Sequence, residues 1–558
     1  MSIQLVLSHY LAGLRERNEL DALLPELLKA MGHSVLSRPQ IGPAQAGVDV
    51  LSTRINADGI TEVYVFIIKF GDLGRADFYG GQQSIDPSVR EACTDFLRNR
   101  LPAHLKNLPK NIILVSNGVL LQEAQAGFSA LTEDVAERPL CRLEFWGSDQ
   151  LTPLIEQFLF DETLLLAQGK ADLRAALAGI EESGAAIGRF IRFIDACFEY
   201  PNEEMKQRKP TRKKKFLRRC AAASMGWAVL LVWGKDEGNL KPGAVTGEYL
   251  ILRMWAEAVK LQWDSDLAFI TRFETMVDLH TQYLVHYFEK VMPALETPRA
   301  VLSYRPDRIF YLELLFEEIG RLATLLLLLQ RKPGQEELRT RLRMAVVYII
   351  NQHKGARLPV YDGHTIDLTL LFCALMGESD WDNTQALTRE CLYRLIHALR
   401  TDRYLPVDTD VLEDAVSLDR GQAKSRDYFQ TSTLVPALAT VAAFLNDEEA
   451  LKLLRNDVLP LMKGVTLERW YPYPALETLT GSLVGVQSVG ISKALSGIRL
   501  SAKEEADASI NTVENTPSSS DFRWAPQWQI LIALSARLHR HPLPTWFIAE
   551  YRRPESLN

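Results

Sequence analysis

Two neighbouring stretches of sequence decide the fold of the N-terminal part: AGVDVLSTR at residues 46–54 and TEVYVFIIKFGD at residues 61–72. The first contains two Val and one Leu, the second two Val and two Ile, and the turn-forming residues 56–59 (NADG) separate them. Short β-branched runs bounded by turn residues are typical of strands joined as a hairpin. Together with residues 33–38, they predict a meander of three strands at 33–38, 48–55 and 61–70.

The segments around this meander predict a mixed α/β domain. Leucines spaced three and four residues apart predict a helix over 11–31, in two pieces that meet near Pro25, with its end at Gly32. A loop at 71–81 precedes a helix over 82–105 that is interrupted near Pro87. A buried strand at 111–116, a helix over 121–136 and a strand at 141–146 follow. The order α-β-β-β-α-β-α-β describes an N-terminal domain of residues 1–165 with a mixed sheet.

Beyond residue 165 nearly every segment has helical spacing of its apolar residues. We predict an all-α region over residues 166–558, with helices at 311–330, 338–352, 384–400 and 450–459. The run 322–329 (LATLLLLL) is apolar around the whole helix, which indicates burial on all sides. The polar stretch 501–521 predicts a flexible loop. Because the region has no catalytic motif, we expect it to serve as a sensor or assembly region.

Composition narrows the class of protein. The chain has 558 residues, a net charge of -7 and six cysteines without a CxxC pair, which argues against a zinc ribbon or a disulfide framework and predicts a cytoplasmic protein with reduced thiols. We expect no membrane partner, because the N-terminus lacks a signal-peptide pattern and no apolar stretch is long enough to span a bilayer. The absence of GxxxxGK[ST], HExxH and GxSxG patterns argues against an ATP-hydrolysing P-loop and against those two hydrolase classes.

Asp49 and Lys69 are the polar residues placed where a catalyst would need them. Asp49 is the second residue of one predicted strand, and Lys69 lies near the end of its antiparallel neighbour. There a carboxylate can hold a divalent cation, and a lysine can stabilise the charge on a phosphate in its transition state. The alternative is an ordinary cross-strand ion pair between the two side chains.

This arrangement, with the α-β-β-β-α-β order around it, resembles the PD-(D/E)xK nuclease superfamily over about residues 11–160, and most closely its Mrr-type branch. The segment Leu27, Leu28, Met31 and Gly32 is similar to the LLxxMG-like end of that branch's first helix. The resemblance implies that Asp21 and Asp49 hold Mg²⁺ or Mn²⁺ and that Lys69 contacts the scissile phosphate.

The chain departs from this family at one position. The residue two before the lysine, normally Glu, Asp or Gln, is Ile67. Alternation along the strand turns Glu62 to the opposite face, so it is no simple replacement. Some family members recruit a ligand from the following helix, which makes Gln82 or Gln83 the natural candidates here and Asp72 a weaker one.

Residues 206–219 (KQRKPTRKKKFLRR) contain nine Lys or Arg and no acid in an otherwise acidic chain. Such cations can neutralise nucleic-acid phosphates irrespective of sequence. A solvated loop and a contact for an acidic partner are the alternatives. The candidate nucleic-acid-binding residues are Lys206, Arg208, Lys209, Arg212, Lys213, Lys214, Lys215, Arg218 and Arg219.

Two functions from different classes are compatible with the sequence. The first is a metal-dependent endonuclease controlled by the helical region, acting on DNA in preference to RNA. By analogy this resembles bacterial anti-phage defence effectors, with a separate ATPase or sensor subunit and self-association into a homo-oligomer as expected partnerships. The second is a catalytically inactive nuclease fold that acts as a scaffold in a larger complex, which Ile67 favours.

Overall fold

The structure is a computed structural model that describes residues 4–14, 19–37, 47–56, 58–81, 84–159, 169–200, 207–304, 307–401, 406–408, 411–422, 428–472, 490–510 and 529–554. The chain forms two compact units. One comprises Met1–Leu250 with Ser265–Leu279, and the other comprises Ile251–Asp264 with His280–Asn558.

A five-stranded mixed sheet forms the centre of the first unit. Its strands lie side by side in chain order. The first three are antiparallel, and the third, fourth and fifth are parallel. This confirms the mixed α/β organisation predicted for the N-terminal part. The strands are β1 (Ser34–Ser37), β2 (Val50–Ile55), β3 (Thr61–Lys69), β4 (Lys110–Ser116) and β5 (Cys141–Trp146).

Six helices connect and cover these strands. The fourth continues as a π-helical segment, Ala92–Arg100, and a 3-10 turn, Ala103–Leu105, follows it. The helices are α1 (Gln4–Gly13), α2 (Asp21–Ala30), α3 (Arg75–Tyr79), α4 (Ile85–Glu91), α5 (Gln122–Ala136) and α6 (Ser148–Phe158).

Several local predictions need correction. The two helical pieces separate before Asp21, and Pro25 lies inside α2. The segment 71–81 contains α3 and is not all loop. Pro87 lies in the first turn of α4, where its missing N–H interrupts no helical hydrogen bond, so the helix continues through it. The predicted end at Gly32 is confirmed, since Gly32 has a φ of +86° and follows Met31, the residue that caps α2.

The central strand β3 has two differently covered faces. On one face Val63, Val65 and Ile67 pack with Ile85 and Val89 of α4 in the main core of this unit. On the other face the rings of Tyr64 and Phe66 stack at 6.3 Å between centroids. Because both faces are buried, β3 and β4 are nearly continuous apolar runs.

The first unit extends beyond the change of composition at residue 165. It includes α7 (Lys170–Ala178), α8 (Ser183–Cys197) and α9 (Lys209–Asp236), and α1 packs against both α6 and α9. The basic residues 209–219 form the first half of α9. The second half is apolar and buried from Cys220 to Leu231.

By length and composition α9 is the one helix among the described residues able to cross a membrane. However, 72% of the most apolar 18-residue stretch of α9 is buried inside the protein, as in a core helix. Two long helices, α10 (Lys241–Leu261) and α11 (Leu267–Leu295), follow α9 along the chain.

The second unit is mainly helical, and the predicted helices at 311–330, 338–352, 384–400 and 450–459 all occur within its helical segments. Residues 322–329 are buried, as predicted. Its helices are α12 (Pro298–Tyr304), α13 (Arg308–Gln330), α14 (Glu336–Gln352), α15 (Gly363–Gly377), α16 (Trp381–Thr401), α17 (Leu412–Asp419), α18 (Leu434–Phe444), α19 (Glu448–Leu453), α20 (Ala502–Ile510), α21 (Ile530–His539) and α22 (Thr545–Ala549).

The all-α prediction for this region is wrong in one respect, because the region also contains a three-stranded sheet. The sheet pairs β6 (Thr431–Ser432), β7 (Thr466–Pro472) and β8 (Gly490–Ala494), which are distant in sequence. The predicted loop at 501–521 begins with helix α20 instead, and its residues 511–521 lie outside the described part of the chain.

Candidate active site

Asp49 lies where the chain enters β2, beside the end of β3. Its backbone N–H donates to the carbonyl of Phe66 at 2.9 Å, and its Oδ2 accepts a hydrogen bond of 2.7 Å from the N–H of Ile68. Since Val50 pairs with Phe66, Asp49 is opposite Ile67. The half-buried carboxylate therefore lies at the edge of the sheet where β2 begins and β3 ends.

Lys69 is the last residue of β3 and lies at the same edge. Side chains alternate along a strand, so Lys69 is on the face of Ile67 and hence on that of Asp49. Its Nζ donates to Ser88 Oγ at 3.2 Å, and this hydroxyl donates to the carbonyl of Ser84 at 2.7 Å. The start of α4 therefore orients the Lys69 side chain.

Gly47 holds the turn before Asp49 against the same helix. Its φ is +75°, and a Cβ at this position would lie 2.5 Å from the carbonyl oxygen of Ser88. Only glycine fits such a left-handed conformation at such close range. Ser88 is therefore contacted both by the turn that carries Asp49 and by the ammonium of Lys69.

The residue two before Lys69 provides no ligand. Ile67 is 1% exposed and belongs to the main core of the unit. Glu62 lies near the opposite end of β3, where it accepts hydrogen bonds from Tyr64 at 2.8 Å and from Asn111 at 3.1 Å. The bond from Tyr64 is the main reason that the pKa of Glu62 is lowered from its ordinary value. Glu62 thus belongs to a separate polar cluster.

Asp21 is the first residue of α2. Residues 31–33 join α2 to β1, the edge strand that pairs with β2. Asp21 Oδ1 is buried, and within the described residues it has no hydrogen-bond partner. A buried carboxylate oxygen of this kind is costly unless a cation or water satisfies it.

One turn of α9 links the start of α2 with the end of β3. Arg218 forms an ion pair with Glu19, two residues before Asp21. Lys214, one turn earlier on α9, places its ammonium 4.9 Å from the ring centre of Phe70, next to Lys69. Positions four apart on a helix are neighbours on its surface. One turn of α9 therefore contacts both Glu19, near Asp21, and Phe70, next to Lys69.

The other basic residues of the segment have different environments. Lys213 pairs with Asp266, and although burial raises the pKa of Asp266, the hydrogen bond from Lys213 helps to lower it overall. Arg219 donates to the carbonyl of Cys197 at 3.2 Å and lies over the ring of Tyr200. Of the remaining residues in the segment, Arg208 and Lys209 are exposed, Arg212 and Lys215 are half-buried, and Lys206 lies outside the described residues.

Sequence reasoning missed Asn117, which joins α1 to this edge. Asn117 is 1% exposed; its Oδ1 accepts the N–H of Gly71 at 2.8 Å, and its Nδ2 donates to the carbonyl of Leu14 at 3.0 Å. A polar residue directly after the buried strand β4 was the available signal, since ligands often bind beyond the carboxyl ends of parallel strands. Asp72, the weaker candidate ligand, accepts the N–H of Val119 at 3.0 Å within the same pair of loops.

The predicted site residues thus divide into two groups. The structure places Asp49 and Lys69 at one edge of the sheet, and Asp21 is linked to that edge through the contacts of α9 with Glu19 and Phe70, whereas Gln82 and its neighbour Gln83 lie outside the described residues. Within the part of the chain that the structure describes, no three His, Cys, Asp or Glu side chains form a group able to hold a metal ion.

Comparison with known proteins gives no match to a protein-family model, to a curated protein or to a solved structure.

Proposed function

We propose that this chain is a metal-dependent nuclease of the PD-(D/E)xK type that hydrolyses phosphodiester bonds in DNA in preference to RNA. The observation that carries the proposal is the position of Asp49 and Lys69. They lie on one face of the sheet, at the edge where β2 begins and β3 ends. In this sheet β1, β2 and β3 are antiparallel, and β3, β4 and β5 are parallel.

Asp49 and Asp21 would hold Mg²⁺ or Mn²⁺ through carboxylate oxygens, which are ligands that both ions accept. The orphaned Oδ1 of Asp21 fits this role, because a cation would satisfy it. A divalent cation bound there supplies Lewis-acid stabilisation to the charge that develops on the phosphate. Gln82 is proposed as the additional oxygen ligand in place of the acid that Ile67 replaces.

Lys69 would contact the scissile phosphate directly. Its ammonium can donate hydrogen bonds to the non-bridging oxygens, which gain charge in the transition state. Ser88 accepts a hydrogen bond from Lys69, so the lysine is oriented before the substrate arrives. Such preorganised charge is the largest contribution that a side chain commonly makes to catalysis.

A second function, a catalytically inactive scaffold, is favoured by the burial of Ile67. On this alternative the hydrogen bonds from Ile68 to Asp49 and from Lys69 to Ser88 serve only to fasten the strand ends.

We further propose that the helical region senses a ligand or partner and controls the nuclease. A cavity of about 200 Å³ in the second unit supports a sensing role, because it combines apolar walls with polar groups. It is lined by Val347, Ile350, Arg357, Asn383 and Glu390, among others. We also propose that the chain acts in the cytoplasm as an anti-phage effector. Its proposed partners are further copies of itself, in a homo-oligomer, and a separate ATPase or sensor subunit.

The direct test is incubation of the purified full-length chain with plasmid DNA and with RNA in Mg²⁺, in Mn²⁺ and in EDTA. The proposal expects cleavage with either ion, none in EDTA and none by Lys69→Ala. Lys106→Ala is the matched control, because Lys106 is exposed and its Nζ contacts only the carbonyl of Arg98 in the described residues. Unchanged cleavage by Lys69→Ala would overturn the assignment, and no cleavage under any condition would favour the scaffold.

A further inference from the structure

The basic half of α9 brings one cation to the edge of the candidate active site. The ammonium of Lys214 lies 4.9 Å from the centre of the Phe70 ring, a cation–π contact. Phe70 directly follows Lys69 in the chain, and its side chain is 38% exposed. Lys214 is itself exposed. The contact therefore holds a positive charge in solvent at the end of β3, next in the chain to the proposed catalytic lysine.

Neighbouring cations on α9 have other partners, which fix the position of Lys214. Lys213 pairs with Asp266 and Arg218 pairs with Glu19, so carboxylates neutralise the charges on both sides of Lys214. The apolar second half of the helix is buried from Cys220 to Leu231. Within the described residues no carboxylate forms an ion pair with Lys214, so its charge stays available.

An aromatic ring is a weak partner for an ammonium at an exposed site. A phosphate oxygen is a stronger partner for the same ammonium. The ring therefore orients Lys214 in the free protein without competing effectively with a polynucleotide. Lys209, the first residue of α9, and Arg208 just before it are both exposed and extend the positive surface away from the site.

We infer that Lys214 binds a phosphate of the substrate strand next to the scissile phosphate, and that Phe70 is the positioning residue that aims it there. The inference rests on the proposed nuclease function for the location of the scissile phosphate. The ligand is a polynucleotide strand of either DNA or RNA, because a phosphate contact does not distinguish the two. The strand leaves the site across Phe70 and follows the start of α9.

The test measures binding separately from cleavage. Fluorescence anisotropy of labelled 20-nucleotide DNA and RNA of the same sequence is recorded with the full-length chain in EDTA, from 50 to 200 mM salt. Lys214→Ala is expected to weaken binding about three- to tenfold and to reduce the slope of log affinity against log salt by about 0.7. Lys235→Ala, at the exposed far end of the same helix, is the matched control and should stay within about twofold of the unaltered chain.

Phe70 is tested with a conservative pair of variants. Phe70→Leu keeps an apolar side chain but removes the cation–π contact, so it should weaken binding about two- to fivefold. Phe70→Trp retains the contact and should restore binding, which a merely structural role for the ring would not predict. The DNA and RNA arms show which polynucleotide is bound more tightly.

Each outcome separates this inference from the proposed function. Equal binding by Lys214→Ala and Lys235→Ala, or no binding by the unaltered chain, overturns the inference. Weaker binding by Lys214→Ala alone supports it, even if no cleavage is found and the nuclease proposal fails. Metal-dependent cleavage together with unchanged binding by Lys214→Ala leaves the nuclease proposal standing and removes only the role of Lys214.

Discussion

The carboxylate of Asp49 accepts a hydrogen bond of 2.7 Å from the backbone N–H of Ile68, one residue before Lys69. One oxygen of the proposed metal ligand thus fastens the end of β3, so Asp49 has a structural role beside its proposed catalytic one. Substitutions that keep or remove the acceptor can separate the two roles.

Asp49→Asn is expected to abolish cleavage while changing stability little, because the amide oxygen can still accept from Ile68. Asp49→Ala should abolish cleavage and also lower the free energy of unfolding by about 1–3 kcal/mol, the cost of an unsatisfied buried N–H. Urea unfolding and a cleavage assay measure the two effects. Asp58→Asn, in the exposed turn at the other end of the β2–β3 hairpin, should change neither quantity. Full activity of Asp49→Asn would remove Asp49 from the metal site.

Gly47→Ala should destabilise the first unit and disturb the site together. The left-handed φ costs a non-glycine residue about 1–2 kcal/mol, and the new Cβ would also lie 2.5 Å from the carbonyl oxygen of Ser88. Gly59→Ala is the matched control, since Gly59 has a φ of +77° with no atom within 4 Å of its Cβ. The difference between the two free energies of unfolding isolates the contact with Ser88. Equal losses would show that α4 yields freely and does not hold the turn.

The sequence predicts the edge that carries Asp49 and Lys69 because both lie in one hairpin. Local turn residues and the alternation of apolar side chains set its register, and that register places Asp49 opposite Ile67. The same local signals predict that Ile67 is no ligand.

The rest of the site depends on contacts between distant residues, which local patterns do not encode. Asn117 and Leu14 are separated by 103 residues, and Arg218 and Glu19 by 199. The prediction of an all-α region missed the three-stranded sheet for the same reason, because β7 pairs with two short strands that are not adjacent to it in sequence. Likewise, no aromatic residue lies among the basic residues 206–215, and the fold supplies Phe70 from the residue after β3.

Restoring the acid two residues before the lysine tests the metal site directly. Ile67→Glu places a carboxylate opposite Asp49 but in the core, so it should lower the free energy of unfolding by about 2–5 kcal/mol without metal. If Asp49 and the new Glu bind Mg²⁺, an ion concentration of about 100 times the Kd restores about 2.7 kcal/mol. Thermal unfolding with and without Mg²⁺ measures the recovery.

Ile68→Glu is the control for this substitution, because Ile68 is equally buried but lies on the other face of β3. The Ile68→Glu variant should have a lower free energy of unfolding than the unaltered chain, and Mg²⁺ should not restore it. The same absence of recovery in Ile67→Glu would contradict a metal site at this edge and favour the scaffold.

His33 makes the first unit sensitive to acid. It is 6% exposed beneath Tyr64, its Nδ1 lies 3.0 Å from Ser52 Oγ, and burial, assisted by the positive charge of Arg54, lowers its pKa to about 4. The unfolded chain has the ordinary pKa of about 6.5 and takes up a proton first as the pH falls. The free energy of unfolding is therefore unaffected by this group above pH 6.5. It falls by about 1.4 kcal/mol per pH unit between pH 6.5 and pH 4.

Urea unfolding at pH 7 and pH 4.5 measures this loss, for which His33 alone should account for about 2–3 kcal/mol. His33→Asn, which can still contact Ser52 but does not titrate, should lose that much less stability between the two pH values. His104→Asn serves as the control for the loss of a histidine, because His104 is exposed. Parallel pH profiles for the unaltered chain and His33→Asn would mean that His33 is protonated in the folded state, in conflict with its burial beneath Tyr64.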